Sequence, residues 1–166
     1  DLNIATFSDP LTGIPNRSSC DMYVVELENS KSDNKIALIV FELNNLALTN
    51  NILGHRKSDK LLIEFSSIIK SGIKGNDFVG RYGDNEFVVI MNNVDSAKVN
   101  KYLSRINEKI IGYNLIQINE LEKINFIVGY LIDSLSNKNF LDMLDEVDKS
   151  LLVERQRKKD ANHSSF

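Results

Sequence analysis

Two short segments of the chain carry side chains that could bind a metal ion and a phosphate. Glu42 and Asn44 come directly after a strongly apolar run, and the segment 83–86 carries two carboxylates and a carboxamide beside a glycine. Oxygen atoms of these groups are the ligands that magnesium prefers, and magnesium bridges them to nucleotide phosphates. Alternatively, Glu42 is only a charged residue at the point where a core strand emerges into solvent. The segment around Glu42, taken alone, favours this alternative. The two segments can form one site only if the fold brings them side by side.

The apolar runs around these segments predict the strands that would bring them together. The run 36–41 is continuously apolar, as expected for a central strand covered on both faces. The runs 78–82 and 86–91 flank turn-forming residues and predict a β-hairpin. If this hairpin pairs beside the central strand, Glu42 lies next to the hairpin tip at the carboxyl edge of the sheet, where open α/β folds bind ligands.

Helical spacing of apolar residues predicts the elements that cover the sheet. A short helix over 46–53 is expected to end at Gly54, and Ser58 is expected to cap the helix that follows. Because helices alternate with strands and a hairpin interrupts the alternation, we predict an α/β fold with a central mixed β-sheet covered by α-helices. The remaining elements are expected to be helices around 20–27, 99–110 and 140–151 and a strand over 124–131.

The composition limits the classes of function. A length of 166 residues with 42% hydrophobic and 26% charged residues fits one soluble domain. The net charge of -3 argues against a nucleic-acid polymer as partner, since such a partner requires a basic surface. Cys20 is the only cysteine, which excludes an internal disulfide and suits a reducing compartment. No apolar run approaches the roughly 20 residues that span a bilayer, so we expect a cytoplasmic domain, either free or part of a membrane-anchored receptor.

Four motifs, in order along the chain, resemble those of one known family. The segment Arg81-Tyr-Gly-Asp-Asn-Glu-Phe87 resembles the GGDEF signature with its preceding arginine. The segments 9–17, 50–55 and 148–151 resemble the Asp-x-Leu-Thr-x-Leu-x-Asn-Arg, Asn-Asp-x-x-Gly-His and Asp-x-Ala-Leu motifs of the same family. The chain is therefore identified as similar to GGDEF domains, the nucleotide-binding domains of bacterial diguanylate cyclases, which convert two GTP molecules to cyclic di-GMP.

This resemblance implies a fold and a domain organisation. It implies a GGDEF-type, nucleotidyl cyclase-like sheet with the signature on a β-hairpin. The GGDEF domain is expected over residues 9–160. Residues 1–8 are expected to be a linker helix from an upstream domain, and residues 161–166 a tail or the start of a linker to a downstream domain.

The resemblance also implies which residues bind the substrate. Guanine is held in this family by an asparagine and an aspartate, which correspond here to Asn50 and Asp59. Both residues are retained, and their side chains can together supply the acceptor and donor atoms that guanine requires. The two basic residues that contact phosphates in the family correspond to Arg155 and Lys159, with the two residue types exchanged. An equally weighted alternative for this pair is a solvated basic helix end stabilised by the helix dipole.

The implied metal and catalytic positions depart from the family pattern. Glu42 stands where the family has its first metal-binding aspartate, Asn44 replaces the neighbouring acid, and Ala47 replaces a phosphate-contacting lysine. The implied catalytic residues are Asn85 and Glu86, and Asn85 replaces an acid that is also a metal ligand. An amide offers one neutral oxygen and cannot act as a base. The magnesium site formed by Glu42 and Asn85 is therefore expected to be weakened.

The family's inhibitory product site is also degenerate. Its Arg-x-x-Asp motif corresponds here to Lys74-Gly-Asn-Asp77. Lysine lacks the planar fork with which arginine binds guanine and phosphate. For Lys74 and Asp77 an ordinary exposed loop is therefore the favoured interpretation.

The functional prediction follows from retained base contacts beside depleted metal ligands. We expect a degenerate GGDEF domain of cyclic di-GMP signalling that binds GTP or another guanine nucleotide, has weak or no cyclase activity and regulates an attached sensor or EAL-type phosphodiesterase domain. Magnesium would accompany GTP if GTP binds. One alternative is an active diguanylate cyclase, in which Glu42 and Glu86 hold magnesium and a homodimer joins two GTP molecules. Another is a purely structural dimerisation module.

Overall fold

The computed structural model describes residues 6–30 and 32–164. The expected linker helix over 1–8 falls largely outside them, as do the last two residues of the expected tail. The described residues form five α-helices: α1 (Arg17–Asn29), α2 (Leu46–Leu53), α3 (His55–Lys70), α4 (Ser96–Leu115) and α5 (Phe140–Ser164). A 3-10 turn lies at Glu120–Glu122. The four strands of this part of the chain are β1 (Ile36–Leu43), β2 (Phe78–Arg81), β3 (Glu86–Asn92) and β4 (Phe126–Asp133).

The strands form one sheet in the order β2-β3-β1-β4. The predicted α/β fold is confirmed, and so is the hairpin, because β2 and β3 pair directly. The prediction of a mixed sheet is wrong for the described residues, since all three strand pairs are antiparallel.

The direction of the helical connections explains this correction. β1 and β2, joined through α2 and α3, run in the same direction, as do β3 and β4, joined through α4. In each case one antiparallel strand lies between the two connected strands, which gives the split β-α-β-β-α-β arrangement. The alternation of helices and strands in the sequence therefore predicts strand direction but not which strands are neighbours.

Helices cover both faces of β1, as its continuous apolar run predicts. Ile36, Leu38 and Val40 pack in one buried cluster with residues of α1 and α5. The alternate residues of β1, from Ala37 to Leu43, pack in a second cluster with residues of α3 and α4. Cys20 lies in the first cluster, where burial raises the pKa of its thiol to about 12. Cys20 is thus a small buried residue of the core.

The junction of α2 and α3 corrects one helix boundary. Gly54 has a φ of 93°, a region that favours glycine, and it ends α2 and precedes α3. The helix therefore begins at His55, and the prediction that Ser58 caps it is wrong. Ser58 instead lies buried in the first turn, where its hydroxyl donates to the His55 carbonyl oxygen at 3.0 Å. This tight junction places the side chains of α2 and α3 beside the carboxyl end of β1.

Candidate functional site

The hairpin tip lies beside the end of β1. Glu42 of β1 and Glu86 of β3 are register partners, and the pairing continues past the strand because Leu43 N–H donates to the Asn85 carbonyl oxygen at 2.8 Å. A cleft of about 760 Å³ opens here between the hairpin tip, α2, α3 and α5. Five of the site residues expected from the sequence line it: Glu42, Asn50, Asp59, Asn85 and Arg155.

One wall of the cleft carries the expected guanine contacts. Asn50 lies in the last turn of α2 and Asp59 in the second turn of α3, and both are half-buried. Within the described residues, neither side chain forms a hydrogen bond or an ion pair. Their amide and carboxylate atoms are therefore available to a ligand in the cleft.

The opposite wall is closed by an ion pair. Arg155 of α5 donates from Nε to Glu42 Oε2 at 3.1 Å and from Nη2 to Glu42 Oε1 at 3.0 Å. The Glu42 side chain is 15% exposed and the Arg155 side chain 40% exposed. Two parallel N–H···O bonds of this kind fix both groups in orientation as well as in charge. The candidate metal ligand and the candidate phosphate contact are thus bonded to each other.

Asn85 has a structural bond of its own. Its Nδ2 donates to the Leu43 carbonyl oxygen at 3.0 Å. An ionised carboxylate at this position could not donate this bond and would face the carbonyl oxygen with a like partial charge. The amide therefore stabilises the junction between the hairpin tip and β1.

The carboxylates next to Arg155 influence one another. Glu86 is half-buried, and this burial raises the pKa of its carboxyl. The negative charges of Asp148 and Glu42 raise that pKa further, while Arg155 and Arg17 oppose them. Arg155 thus supplies the largest opposing positive charge to a group of acids that would otherwise repel one another.

These residues do not fit a divalent cation. Both carboxylate oxygens of Glu42 are bonded to Arg155, and Asn85 uses its amide nitrogen on the backbone. In the part of the chain that the structure describes, no three His, Cys, Asp or Glu side chains are arranged to hold a metal ion. A hard cation such as magnesium requires several free oxygen ligands.

The remaining expected residues lie outside the cleft. Lys159 is exposed on α5, one turn beyond Arg155, and does not line the cleft. Lys74 and Asp77 precede β2 and so lie at the opposite end of that strand from the hairpin tip. Lys74 is exposed, whereas the Asp77 carboxylate accepts from the Asn92 backbone N–H at 2.8 Å and lines a second cavity of about 610 Å³.

The sequence identified Arg81 only as the arginine before the signature. In the structure its Nη2 donates to the Asp84 carbonyl oxygen at 2.7 Å and its Nε to that of Gly83 at 3.2 Å. Its Nη1 donates to both carboxylate oxygens of Asp9, at 3.2 Å each. Arg81 thereby joins the segment before α1 to the hairpin tip. Asp9 and Arg81 are 72 residues apart, and no local pattern relates them, so the sequence could not predict this contact.

The Asp9 carboxylate is the other end of this link. Burial raises the pKa of its carboxyl, but hydrogen bonds from the Thr12 hydroxyl and backbone N–H, together with the charge of Arg81, leave that pKa below its ordinary value. A pKa depressed on folding stabilises the native state above the unfolded-state pKa, and this stabilisation is lost as the pH falls through the folded pKa.

Arg81→Met is expected to lower the free energy of unfolding by about 2 kcal/mol at pH 7, because it leaves the Asp9 carboxylate without its countercharge. Below about pH 4 the difference should shrink, since protonated Asp9 no longer needs Arg81. Urea unfolding at several pH values measures both effects. Arg105→Met, at an exposed position of α4, is the control and should change stability by no more than about 0.5 kcal/mol. A pH-independent loss would contradict the assignment.

The comparison with protein families agrees with this geometry. Residues 6–161 match the family model described as "Diguanylate cyclase, GGDEF domain". The chain belongs to the GGDEF domain family of cyclic di-GMP signalling proteins, so the resemblance stated from the motifs is confirmed.

The relatives of this chain include a protein named as a phosphodiesterase and one named as a cyclase. The chain is 30% identical over 105 residues to the cyclic di-GMP phosphodiesterase PdeR of Escherichia coli, covering 63% of this chain and 16% of PdeR. It is 28% identical over 109 residues to the diguanylate cyclase DgcP of the same species, covering 64% of this chain and 32% of DgcP. The chain thus spans less than a third of the length of either relative.

Solved structures agree with the fold. The structure of the coiled coil and GGDEF domain of DgcB from Caulobacter crescentus, in complex with c-di-GMP, matches with a TM-score of 0.79 and 20% identity. The match covers 93% of this chain and 83% of that one, which confirms the GGDEF-type fold. Across the described residues no helix combines the length and the apolar character needed to cross a membrane.

Proposed function

We propose that this chain is a guanine-nucleotide-binding regulatory domain without effective cyclase activity. The observation that carries the proposal is the contrast between the two walls of the cleft. Asn50 and Asp59 present unbonded polar atoms on one wall, while Glu42 on the other is bonded through both oxygens to Arg155. The base-binding half of a nucleotide site is thus available, and the half that would perform phosphoryl transfer is not.

The chemistry of the open wall suits guanine. A carboxylate such as Asp59 accepts hydrogen bonds from the N–H groups of the base, and an amide such as Asn50 both donates and accepts. A base without those N–H groups would leave the Asp59 carboxylate unpaired, which disfavours it. Selectivity for GTP over ATP is therefore part of the proposal.

Regulation of a neighbouring domain is the role that this binding would serve. The named relatives include a phosphodiesterase as well as a cyclase, and the chain spans a minority of each. An attached EAL-type phosphodiesterase or a sensor domain would receive the effect of nucleotide binding, and a homodimer is compatible with this role. Residues 161–164 continue α5 without interruption, so a downstream domain would follow a helix that also carries Arg155.

Calorimetric titration with GTP and with ATP tests the binding. Asn50→Ala is expected to weaken GTP binding about tenfold, since one hydrogen bond to the base is lost. Asn51→Ala is the matched control, because Asn51 is exposed on the same helix and does not line the cleft. Equal affinity of the two variants for GTP would contradict base recognition by Asn50.

A purely structural module gives a different result in a thermal unfolding measurement. A ligand present at about 100 times its dissociation constant stabilises the native state by roughly 2.7 kcal/mol. Stabilisation by GTP is expected for the proposed function, and its absence at millimolar GTP would support the structural alternative.

A further inference from the structure

The ion pair between Arg155 and Glu42 changes the charge that the cleft offers to a ligand. Arg155 comes from the last helix and Glu42 from the end of β1, so the pair joins α5 to the carboxyl end of the central strand. Its geometry is that of a guanidinium fork on a carboxylate, in which both carboxylate oxygens accept an N–H. The negative charge of Glu42 is therefore already compensated within the chain.

A divalent cation would have to compete with this arrangement. It would need the Glu42 oxygens that Arg155 holds, and the positive charge of the guanidinium would repel it at short range. The neighbouring Asn85 does not offset this loss, because its amide oxygen is neutral and its amide nitrogen donates to the Leu43 carbonyl oxygen.

The outer edge of the guanidinium remains available to an anion. Arg155 has five N–H donors, of which two bond Glu42, and its side chain is 40% exposed at the cleft. A guanidinium can bind a carboxylate on one edge and a phosphate on another. The phosphates of a nucleotide would thus meet a positive charge supplied by the protein itself.

We infer that Arg155 is the resident counter-ion of Glu42, that it excludes a divalent cation from the cleft, and that a guanine nucleotide binds here without a metal ion. The last part rests on the proposed function, whereas the exclusion of metal holds whether or not a nucleotide binds.

The exclusion of metal is tested without nucleotide. Mn²⁺ is titrated into the 166-residue protein, and free Mn²⁺ is followed by electron paramagnetic resonance. The unaltered protein should show no saturable Mn²⁺ binding. Arg155→Gln should show saturable binding, at least about tenfold tighter than the weakest affinity that the titration detects, because the competing charge is gone. Arg155→Lys keeps the charge and should behave like the unaltered protein.

A matched control separates this effect from a general change in charge. Arg157→Gln removes one charge from the same helix, at a side chain that is 71% exposed and bonded to Glu154. It should leave Mn²⁺ binding unchanged. Circular dichroism of each variant verifies that α5 is still formed.

The nucleotide arm uses calorimetry with GTP in the presence of EDTA and then of excess Mg²⁺. The expected result is the same affinity, within about twofold, in both buffers, since no metal takes part. Arg155→Gln should weaken binding in EDTA by about tenfold through loss of a charge-assisted phosphate contact.

The results decide the inference separately from the proposed function. Saturable Mn²⁺ binding by the unaltered protein would overturn the inference, and so would the absence of Mn²⁺ binding by Arg155→Gln. So would GTP binding that disappears in EDTA. If GTP does not bind in either buffer, the proposed function and the nucleotide part of the inference both fail, while the Mn²⁺ titration still decides the exclusion of metal.

Discussion

Incubation of the protein with GTP and Mg²⁺ is expected to yield cyclic di-GMP at a rate about 10²–10⁴ lower than that of a GGDEF domain with an acidic third signature residue, because a positioned general base contributes about that factor. Asn85 cannot accept the proton of a ribose hydroxyl as a carboxylate would, and its amide nitrogen is committed to the Leu43 carbonyl. Chromatographic quantification of the product after prolonged incubation measures the rate.

Two variants make this expectation decisive. Glu42→Ala is the blank, since it removes the candidate metal ligand nearest the hairpin tip. Product that forms in the unaltered protein at the rate of a GGDEF domain with an acidic third signature residue, and that disappears in Glu42→Ala, would contradict the proposal and support the active cyclase. Asn85→Asp alone is not expected to restore turnover, because Glu42 stays bonded to Arg155 in that variant.

The sequence predicted the elements around the site well because their signals are local. The short apolar segment over 46–53 ends at a glycine, and α2 has those bounds. The polar turn between two apolar runs predicted the hairpin, and the pairing of Glu42 with Glu86 follows once β3 lies beside β1. Local spacing and turn chemistry are sufficient for such elements.

The side-chain contacts within the cleft were not predictable in the same way. Arg155 and Glu42 are 113 residues apart, and the motifs assigned one to a phosphate and the other to a metal. That two such groups bond each other depends on how α5 crosses the end of β1, which no local pattern records. The same holds for Asn85. Its replacement of the family's acid suggested only a lost metal ligand, but its amide nitrogen forms a hydrogen bond to the Leu43 carbonyl oxygen that an aspartate could not form.

The order of the strands in the sheet could not be predicted from the sequence either. The order of elements suggested a sheet with parallel pairs, yet β3 lies between β1 and β2 and makes every pair of the described sheet antiparallel. Strand order is set by long-range packing of the two apolar faces, whereas the sequence pattern reports only that both faces of β1 are apolar. The end of β1 and the hairpin tip nevertheless lie side by side, because β3 pairs directly with β1.

The packing that holds these walls together centres on Phe65. Its side chain in α3 is fully buried, and its ring contacts those of Phe41 in β1 and Phe87 in β3 edge-on, with centroid distances of 5.9 and 5.4 Å. It also lies 5.5 Å from the ring of Phe126 in β4. One side chain therefore joins the helix that carries Asp59 to three strands of the sheet.

Phe65→Ala is expected to lower the free energy of unfolding by about 3–5 kcal/mol, since burial of the ring is lost and a cavity remains. Loss of this size is a large part of the roughly 5–15 kcal/mol by which domains are stable, so Phe65→Leu, with a smaller expected loss, provides a folded comparison. Urea unfolding followed by circular dichroism measures the differences. Ile63→Ala, two residues away on the same helix at a side chain that is 42% exposed, should cost no more than about 1 kcal/mol. If Ile63→Ala and Phe65→Ala were equally destabilising, α3 would not be held to the sheet through its buried face.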